Sequence, residues 1–232
     1  MKLNKADFLY QNDVRKEILR RADGMDKEDY AIVDELRDDL KSKLGIDTAC
    51  FQDLRYRVIT DTRCIPIIAS YIPKFKNIGF AQELVTQQFW RKGNKECSDF
   101  LEQWARNLTA ENKLTSRVAN TLDNAFIKIQ DKRKAEFYIE LIREKDRFYF
   151  TMEMLGKWEI REALSVILER LQKDNVKSSA ITALGWYKDQ SLLAHIQPFE
   201  NSGKSGERAA AQKAIKRIRN THDDGICTED CQ

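Results

Sequence analysis

The chain has 232 residues, of which 33% are charged and 42% hydrophobic, a balance typical of a soluble globular protein rather than a disordered one. Its 40 basic and 37 acidic residues leave a net charge of +3, without the strong basic excess usual in proteins that work on nucleic acid. Glycine and proline are scarce, with 9 and 3 in the whole chain. That scarcity argues against a β-rich fold and favours an all-α fold with short polar turns.

The sequence shows neither an export signal nor a membrane span. The first residues lack an apolar signal core, and no window approaches the run of about 20 apolar residues that a transmembrane helix needs. The cysteines are odd in number, namely Cys50, Cys64, Cys97, Cys227 and Cys231. We therefore expect free thiols, a cytoplasmic location and no membrane partner.

Two amphipathic helices are predicted in residues 1–50. Apolar residues spaced along 5–22 predict a first helix that ends near Gly24. Asp26 is placed to cap a second helix that ends at Gly45, because glycine accepts the left-handed conformation common at helix C-termini. We expect this pair to form a cap on the region that follows, or a separate arm.

From about residue 54 onward the chain repeats itself. The clearest copies are residues 152–158 and 181–187, in which Leu155-Gly156 and Leu184-Gly185 occupy matching positions, about 29 residues apart. Each copy is followed, after a short turn, by another apolar helix. Self-similarity of two-helix units at a fixed period is the signature of an α-solenoid, in which each pair buries its apolar face by stacking on the next.

The motif at 176–185 reads Val-Lys-Ser-Ser-Ala-Ile-Thr-Ala-Leu-Gly and follows an apolar helix and an Asp-Asn turn. It resembles the HEAT-like repeats of short bacterial proteins, and residues 64–85 are similar to the first unit of such proteins. The resemblance covers roughly residues 54–219 and is strongest in 150–219. The period is nearer 30 than the about 40–47 usual for full-length HEAT units, which suggests compact pairs with minimal loops.

The resemblance implies a right-handed α-solenoid of about five helix pairs within residues 51–219, after the N-terminal helical pair. We place the helix pairs at residues 54–92, 96–129, 132–157, 159–187 and 190–219. The remaining segment, 220–232, is polar and acidic and has no periodicity, so we expect a flexible tail.

In stacks of this family the second helix of each unit usually lines the concave side. Counting from Leu184 places Ser178, Thr182 and Trp186 on one outward stripe, because residues four apart share a helix face. The equivalent positions in the other units are Glu83, Gln87, Ser116, Asn120, Asn124, Tyr149, Glu153, Lys157, Lys213 and Arg217.

Protein-binding surfaces use Tyr, Trp and Arg as anchors among polar neighbours. We therefore expect a protein partner to bind the stripe at Asn120, Asn124, Tyr149, Glu153, Lys157, Ser178, Thr182, Trp186, Lys213 and Arg217. The alternative is that any solvent-facing stripe of a helix is polar, with the Trp186 ring folded back on the core.

No catalytic or metal-binding constellation can be assembled from the sequence. His195 lies in an apolar helix and is expected to be structural, while His222 lies in the tail. Cys227 and Cys231 are separated by three residues and have no second cysteine pair, so a disordered tail is preferred to a metal site, with a reversible disulfide as a further alternative. We expect no cofactor, no metal and no enzymatic activity.

Two functional hypotheses follow. The first is a non-catalytic scaffold that grips a protein partner along the stripe, as an adaptor, a regulatory subunit or an antidote that sequesters a toxin. The second is a nucleic-acid-binding protein that resembles HEAT-like DNA glycosylases for alkylated bases, which place an acidic residue beside aromatic rings in a basic channel. Glu153 beside Tyr149 and Trp186 would mimic such a site. Because a duplex is densely negative and only the last helix is clearly basic, we prefer the scaffold.

Overall fold

The computed structural model describes residues 24–48, 50–56, 59, 61–89 and 95–223. All regular structure in these ranges is helical, which confirms the predicted all-α class. Within the same ranges, none of the helices combines the length and the apolar character that a membrane span requires. The helix predicted in 5–22 and the cysteines at 227 and 231 lie outside the described residues.

The chain divides into two compact units, Met1–Trp104 and Ala105–Gln232. The helices of the first unit are α1 (Lys27–Leu44), α2 (Phe51–Tyr56), α3 (Cys64–Tyr71), α4 (Ile78–Leu84) and the start of α5 (Ser98–Ala110). Shorter turns complete it, namely 3₁₀ turns at Ile72–Lys74 and Lys95–Cys97 and a π-helical turn at Val85–Phe89.

Helix α1 begins and ends where the sequence predicts. The Asp26 carboxylate accepts a hydrogen bond from the Asp29 backbone N–H at 2.8 Å, which satisfies one of the open donors of the first turn. Gly45 ends the helix with a φ of 69° in the left-handed region. On the inner face of α1, Val33, Leu36 and Leu40 are fully buried in the core of the first unit.

A buried polar contact ties α1 to the turn that enters α4. The Asp29 side chain is 1% exposed and accepts hydrogen bonds from the backbone N–H groups of Lys76 at 2.8 Å and Asn77 at 3.1 Å. Farther along, Gln88 donates from Nε2 to the Leu54 carbonyl at 2.6 Å and joins the π-helical turn to α2. Both contacts satisfy backbone groups that would otherwise be buried without partners.

The second unit continues through α6 (Ser116–Ile129), α7 (Ala135–Glu144), α8 (Tyr149–Lys157), α9 (Leu164–Arg170), α10 (Lys177–Trp186), α11 (Leu193–Ile196) and α12 (Ser205–Asp223). Helices α6, α8, α10 and α12 pack side by side in that order. The other three, α7, α9 and α11, pack on α8, α10 and α12 respectively. Helix α12 continues beyond residue 219, where the sequence analysis places the start of the tail.

The helix boundaries of the second unit recur with one spacing. Gln130, Glu159 and Lys188 adopt left-handed φ values of 54°, 54° and 56°, and each ends one helix pair. A 3₁₀ turn follows each of them, at Lys132–Lys134, Arg161–Ala163 and Gln190–Leu192. Helices α7, α9 and α11 then start at residues 135, 164 and 193, a spacing of 29 residues. The same spacing separates Gly156 from Gly185.

Two glycines set the close approach of the neighbouring helices. A Cβ atom on Gly156 would lie 2.5 Å from the Ala183 carbonyl oxygen, so α8 and α10 meet there backbone to backbone. A Cβ atom on Gly185 would lie 2.5 Å from the Ala214 Cβ, which brings α10 equally close to α12. Since only glycine fits at these contacts, the outward side chains of the three helices are held next to each other.

Candidate functional site

The outward side of α8, α10 and α12 gathers five side chains, which we call the Trp186 cluster. Its members are Glu153, Lys157, Ser179, Trp186 and Arg217. Four of them belong to the stripe predicted from the sequence, and Ser179 was missed. Each of the three helices contributes at least one member, so the cluster depends on the close packing at Gly156 and Gly185.

Trp186 lies at the centre of the cluster, with two cations on its ring. The Arg217 guanidinium carbon lies 3.5 Å from the ring centroid, and the Lys157 Nζ lies 5.3 Å from it. Cations are attracted to the negative face of an indole ring, most strongly where water is partly excluded. The Trp186 side chain is half-buried, so it is neither fully exposed to solvent nor part of the core.

Several hydrogen-bond donors of the cluster have no acceptor. Within the described part of the chain, neither Arg217 nor Lys157 forms a hydrogen bond or an ion pair. The Arg217 Nη1 and the Trp186 Nε1 are buried atoms without partners, and burying a donor in this way costs free energy unless an acceptor is supplied. The other two guanidinium nitrogens of Arg217 do not share this burial.

The acidic member of the cluster is Glu153, whose carboxyl lies near the Ser179 hydroxyl and the two cations. Burial raises the pKa of the Glu153 carboxyl, while the Ser179 hydroxyl and the charges of Lys157 and Arg217 act in the opposite direction. Burial lowers the pKa of the Arg217 guanidinium, against the effect of the Glu153 charge. The environment therefore disfavours both charges, and the arginine charge lacks a hydrogen-bonded counterion.

The other predicted stripe residues are spread along the same helices or lie in the first unit. The Asn124 side chain donates to the Asn120 carbonyl at 2.8 Å, and the Thr182 hydroxyl donates to the Ser178 carbonyl at 2.9 Å, so both bond within their own helices. Tyr149 is half-buried at the start of α8, and Lys213 is exposed one turn before Arg217. Ser116 is exposed at the start of α6, while Glu83 and Gln87 belong to the first unit.

A buried carboxylate caps the helix that carries two members of the cluster. Asp123 on α6 accepts hydrogen bonds from the backbone N–H groups of Phe150 at 3.0 Å and Thr151 at 2.7 Å, and from the Thr151 hydroxyl at 2.6 Å. It thereby caps the first turn of α8, the helix that carries Glu153 and Lys157. Burial raises the pKa of Asp123 to about 6, although its hydrogen bonds lower it. The only sequence signal for this role is an aspartate on the apolar face of α6.

A shallow cavity elsewhere in the second unit is less suited to a ligand. It has a volume of about 230 Å³ and lies between α5 and α7. Arg106 at its rim forms an ion pair with Glu140 at 2.8 Å and lies over the Phe137 ring at 5.0 Å. Its main charge is therefore already neutralised, in contrast to Arg217.

Among residues 24–48, 50–56, 59, 61–89 and 95–223, no three His, Cys, Asp or Glu side chains are placed to hold a metal ion. His195, which the sequence predicts to be structural, has an exposed side chain on α11. The helix is short, and the apolar contacts come from Leu192 and Ile196 on its other side.

Comparison with known proteins assigns no family, since no family model, no curated protein and no solved structure matches the chain. The function is therefore inferred from the residues of the Trp186 cluster and their surroundings.

Proposed function

We propose that the chain is a non-catalytic scaffold that binds a protein partner through the outward side of α8, α10 and α12. We also propose that the helix pairs are HEAT-like repeats stacked as an α-solenoid. The observation that carries the functional proposal is the Trp186 cluster, in which an aromatic ring and two cations lie at the surface with unused donors.

The repeat arrangement is supported by hydrogen bonds between residues separated by about the spacing of the helix starts. Tyr187 donates from its hydroxyl to the Ile160 carbonyl at 2.7 Å, across 27 residues. Asn175 donates to the Asp146 carbonyl across 29 residues, and Gln190 donates to the Ile218 carbonyl across 28. Bonds at one repeat length, together with the recurring helix starts, are what nearest-neighbour stacking of repeats requires.

The composition of the cluster favours a protein partner. Tryptophan and arginine are among the residues that most often dominate the binding energy of protein interfaces, where near-neutral contacts around them exclude water. Thr182, a polar uncharged residue, lies one turn before Trp186 on α10. A rigid aromatic side chain held by its neighbours loses little conformational freedom when a partner binds.

A duplex partner fits the same surface less well. The Arg217 guanidinium covers the Trp186 ring at 3.5 Å, which leaves that ring poorly placed to stack on a base. The Glu153 carboxylate lies among the cations, where it would repel a chain of phosphates. A nucleic-acid site also depends on many phosphate contacts along the backbone, and the cluster supplies two cations, with Lys213 a turn away.

The experiment is an affinity capture from the extract of the native cell, with the purified chain as bait. We expect a defined protein to be retained by the wild type and by Glu169→Ala, a control on the exposed side of α9. The variant Trp186→Ala should lose it, and calorimetry with the purified partner should show binding at least about tenfold weaker, the usual effect of losing a hot-spot residue.

Two results would contradict the proposal. In the first, the wild type and Trp186→Ala retain the same protein with equal affinity. In the second, no protein is retained and duplex DNA binds with an affinity that falls steeply with salt, as phosphate contacts require. Melting curves of each variant, recorded beforehand, separate a lost contact from a lost fold.

A further inference from the structure

We propose that the Trp186 cluster receives a carboxylate of an acidic partner segment, with Arg217 as its main donor and Lys157 as a second. This inference rests on the proposed protein-binding function and adds the chemistry of the partner. Its starting point is a contrast among the cations of the second unit. Arg106 pairs with Glu140 at 2.8 Å and Arg161 with Asp189 at 3.2 Å, whereas Arg217 has no such partner in the described chain.

The guanidinium of Arg217 is positioned before any ligand arrives. Its carbon lies 3.5 Å from the Trp186 centroid, and a planar guanidinium stacked on an aromatic ring keeps its donors in one direction. Nη1 is buried without a partner, and we infer that the Nε–Nη2 edge is the one that meets the ligand. Two parallel N–H donors on a fixed plane match the two oxygens of a carboxylate.

The local charge also favours an acidic ligand. Lys157 and Arg217 carry two positive charges at the Trp186 ring, and exposed Lys213 adds a third one turn before Arg217 on α12. The opposing charge, on Glu153, is half-buried near the Ser179 hydroxyl. A desolvated cation without a counterion is costly, so a carboxylate that pairs with Arg217 would offset that cost.

The size of the charged patch distinguishes a peptide from a nucleic acid. Three cations, with the Glu153 carboxylate among them, suit a partner segment with one or two acidic side chains. A nucleic acid would bring further phosphates close to the Glu153 charge, which would repel them. An apolar contact is available beside the patch, since Phe150 lies one turn before Glu153 on α8 and is 45% exposed. The expected segment therefore combines acidic and apolar side chains.

The probe is a fluorescent peptide of alternating glutamate and leucine, titrated with the full chain and followed by fluorescence anisotropy. We expect saturable binding that weakens with salt. An otherwise identical peptide with glutamine in place of glutamate should bind at least about tenfold more weakly, because the charge-assisted hydrogen bonds are lost. Duplex DNA of random sequence serves as the competing anion.

Matched variants locate the carboxylate. Arg217→Gln should weaken binding of the glutamate peptide about tenfold, and Lys157→Gln, at an exposed position, should weaken it by a smaller factor. Arg217→Lys should fall between wild type and Arg217→Gln, because it keeps the charge and loses the planar donor pair. Lys216→Gln removes the same charge from an exposed neighbouring position of α12 and should have little effect.

The proposal is overturned if the glutamate and glutamine peptides bind equally, if Lys216→Gln weakens binding as much as Arg217→Gln, or if duplex DNA binds more tightly than the glutamate peptide. These results differ from a failure of the scaffold proposal. A native partner lost by Trp186→Ala but indifferent to the charge of Arg217 and Lys157 would leave the binding function standing and refute the acidic partner. A native partner retained by Trp186→Ala would refute the binding surface itself.

Discussion

The two units each contain a buried aspartate that caps the entry of a later helix, and they differ in how far along the chain that helix lies. In the first unit, Asp29 accepts backbone hydrogen bonds from Lys76 and Asn77, 47 and 48 residues away. In the second unit, Asp123 accepts them from Phe150 and Thr151, 27 and 28 residues away. The longer span encloses α2, α3 and a 3₁₀ turn, whereas the shorter one encloses a 3₁₀ turn and α7 and is close to the 29-residue spacing of the helix starts.

That difference bears on where a binding surface can be built. When caps and turns recur at one spacing, the helices of a row pack at matching positions, and outward side chains on successive helices come to lie together. Glu153, Trp186 and Arg217 meet in the second unit for this reason. In the first unit a π-helical turn follows α4 directly, and the predicted stripe positions Glu83 and Gln87 lie on α4 and in that turn.

The strongest test of the recurring packing is Ala183→Arg. Ala183 is fully buried against Gly156 at the α8–α10 contact, so an arginine there would place an uncompensated charge between two backbones. We expect the free energy of unfolding to fall by about 4 kcal/mol or more, measured by urea denaturation. Ala194→Arg, on the exposed side of α11, is the control and should change it by less than about 0.5 kcal/mol. Equal stability of the two variants would refute the close packing of α8 on α10.

Asp123→Ala should have the next largest effect. It would leave the buried N–H groups of Phe150 and Thr151 without their acceptor, so we expect a loss of about 2–4 kcal/mol in the free energy of unfolding. Asp29→Ala removes the matching acceptor in the first unit and should cost a similar amount. Partner binding, measured where both variants are folded, should weaken for Asp123→Ala alone, because α8 carries part of the Trp186 cluster. Equal binding by the two would contradict the assignment of the surface to the second unit.

Sequence patterns predict contacts that follow from the spacing of residues within one helix. Residues four apart predict that Glu153 and Lys157 share a face, and the repeated Leu-Gly pairs fix the register of about 29 residues, in which Gly156 and Gly185 lie at close helix contacts. The cap at Asp26 and the end at Gly45 follow from residue type. Contacts between helices depend on their relative rotation, which no local pattern encodes. The proximity of Ser179 to Glu153 and the stacking of Arg217 on Trp186 were missed for that reason. The role of Asp123 was also missed, because two of its partners are backbone amides.

The pH dependence of stability sharpens the role of Asp123. Burial raises its pKa from 3.8 to about 6 in the folded chain, so the folded state binds this proton more tightly than the unfolded state. The contribution of this bound proton on Asp123 to the free energy of unfolding is therefore fully present below about pH 4 and is lost as the pH rises through about 6. Relative to Asp123→Asn, the wild type should lose about 2–3 kcal/mol between about pH 4 and about pH 7. Urea denaturation at a series of pH values measures this, and parallel profiles for the two proteins would contradict it.

The smallest expected effect compares the cation–aromatic pairs of the two units. Lys74 lies 3.8 Å from the centroid of the Tyr71 ring in the first unit, and Arg217 lies 3.5 Å from that of Trp186 in the second. Lys74 is exposed, whereas Arg217 is partly desolvated. Double-mutant cycles on unfolding, with Lys74→Ala and Tyr71→Leu against Arg217→Ala and Trp186→Leu, should give coupling energies of about 0.5 kcal/mol or less for the first pair and about 1 kcal/mol for the second. A larger coupling energy for Lys74 and Tyr71 would show that exclusion of water does not hold Arg217 on the Trp186 ring. The donors of Arg217 would then not be positioned before a ligand binds.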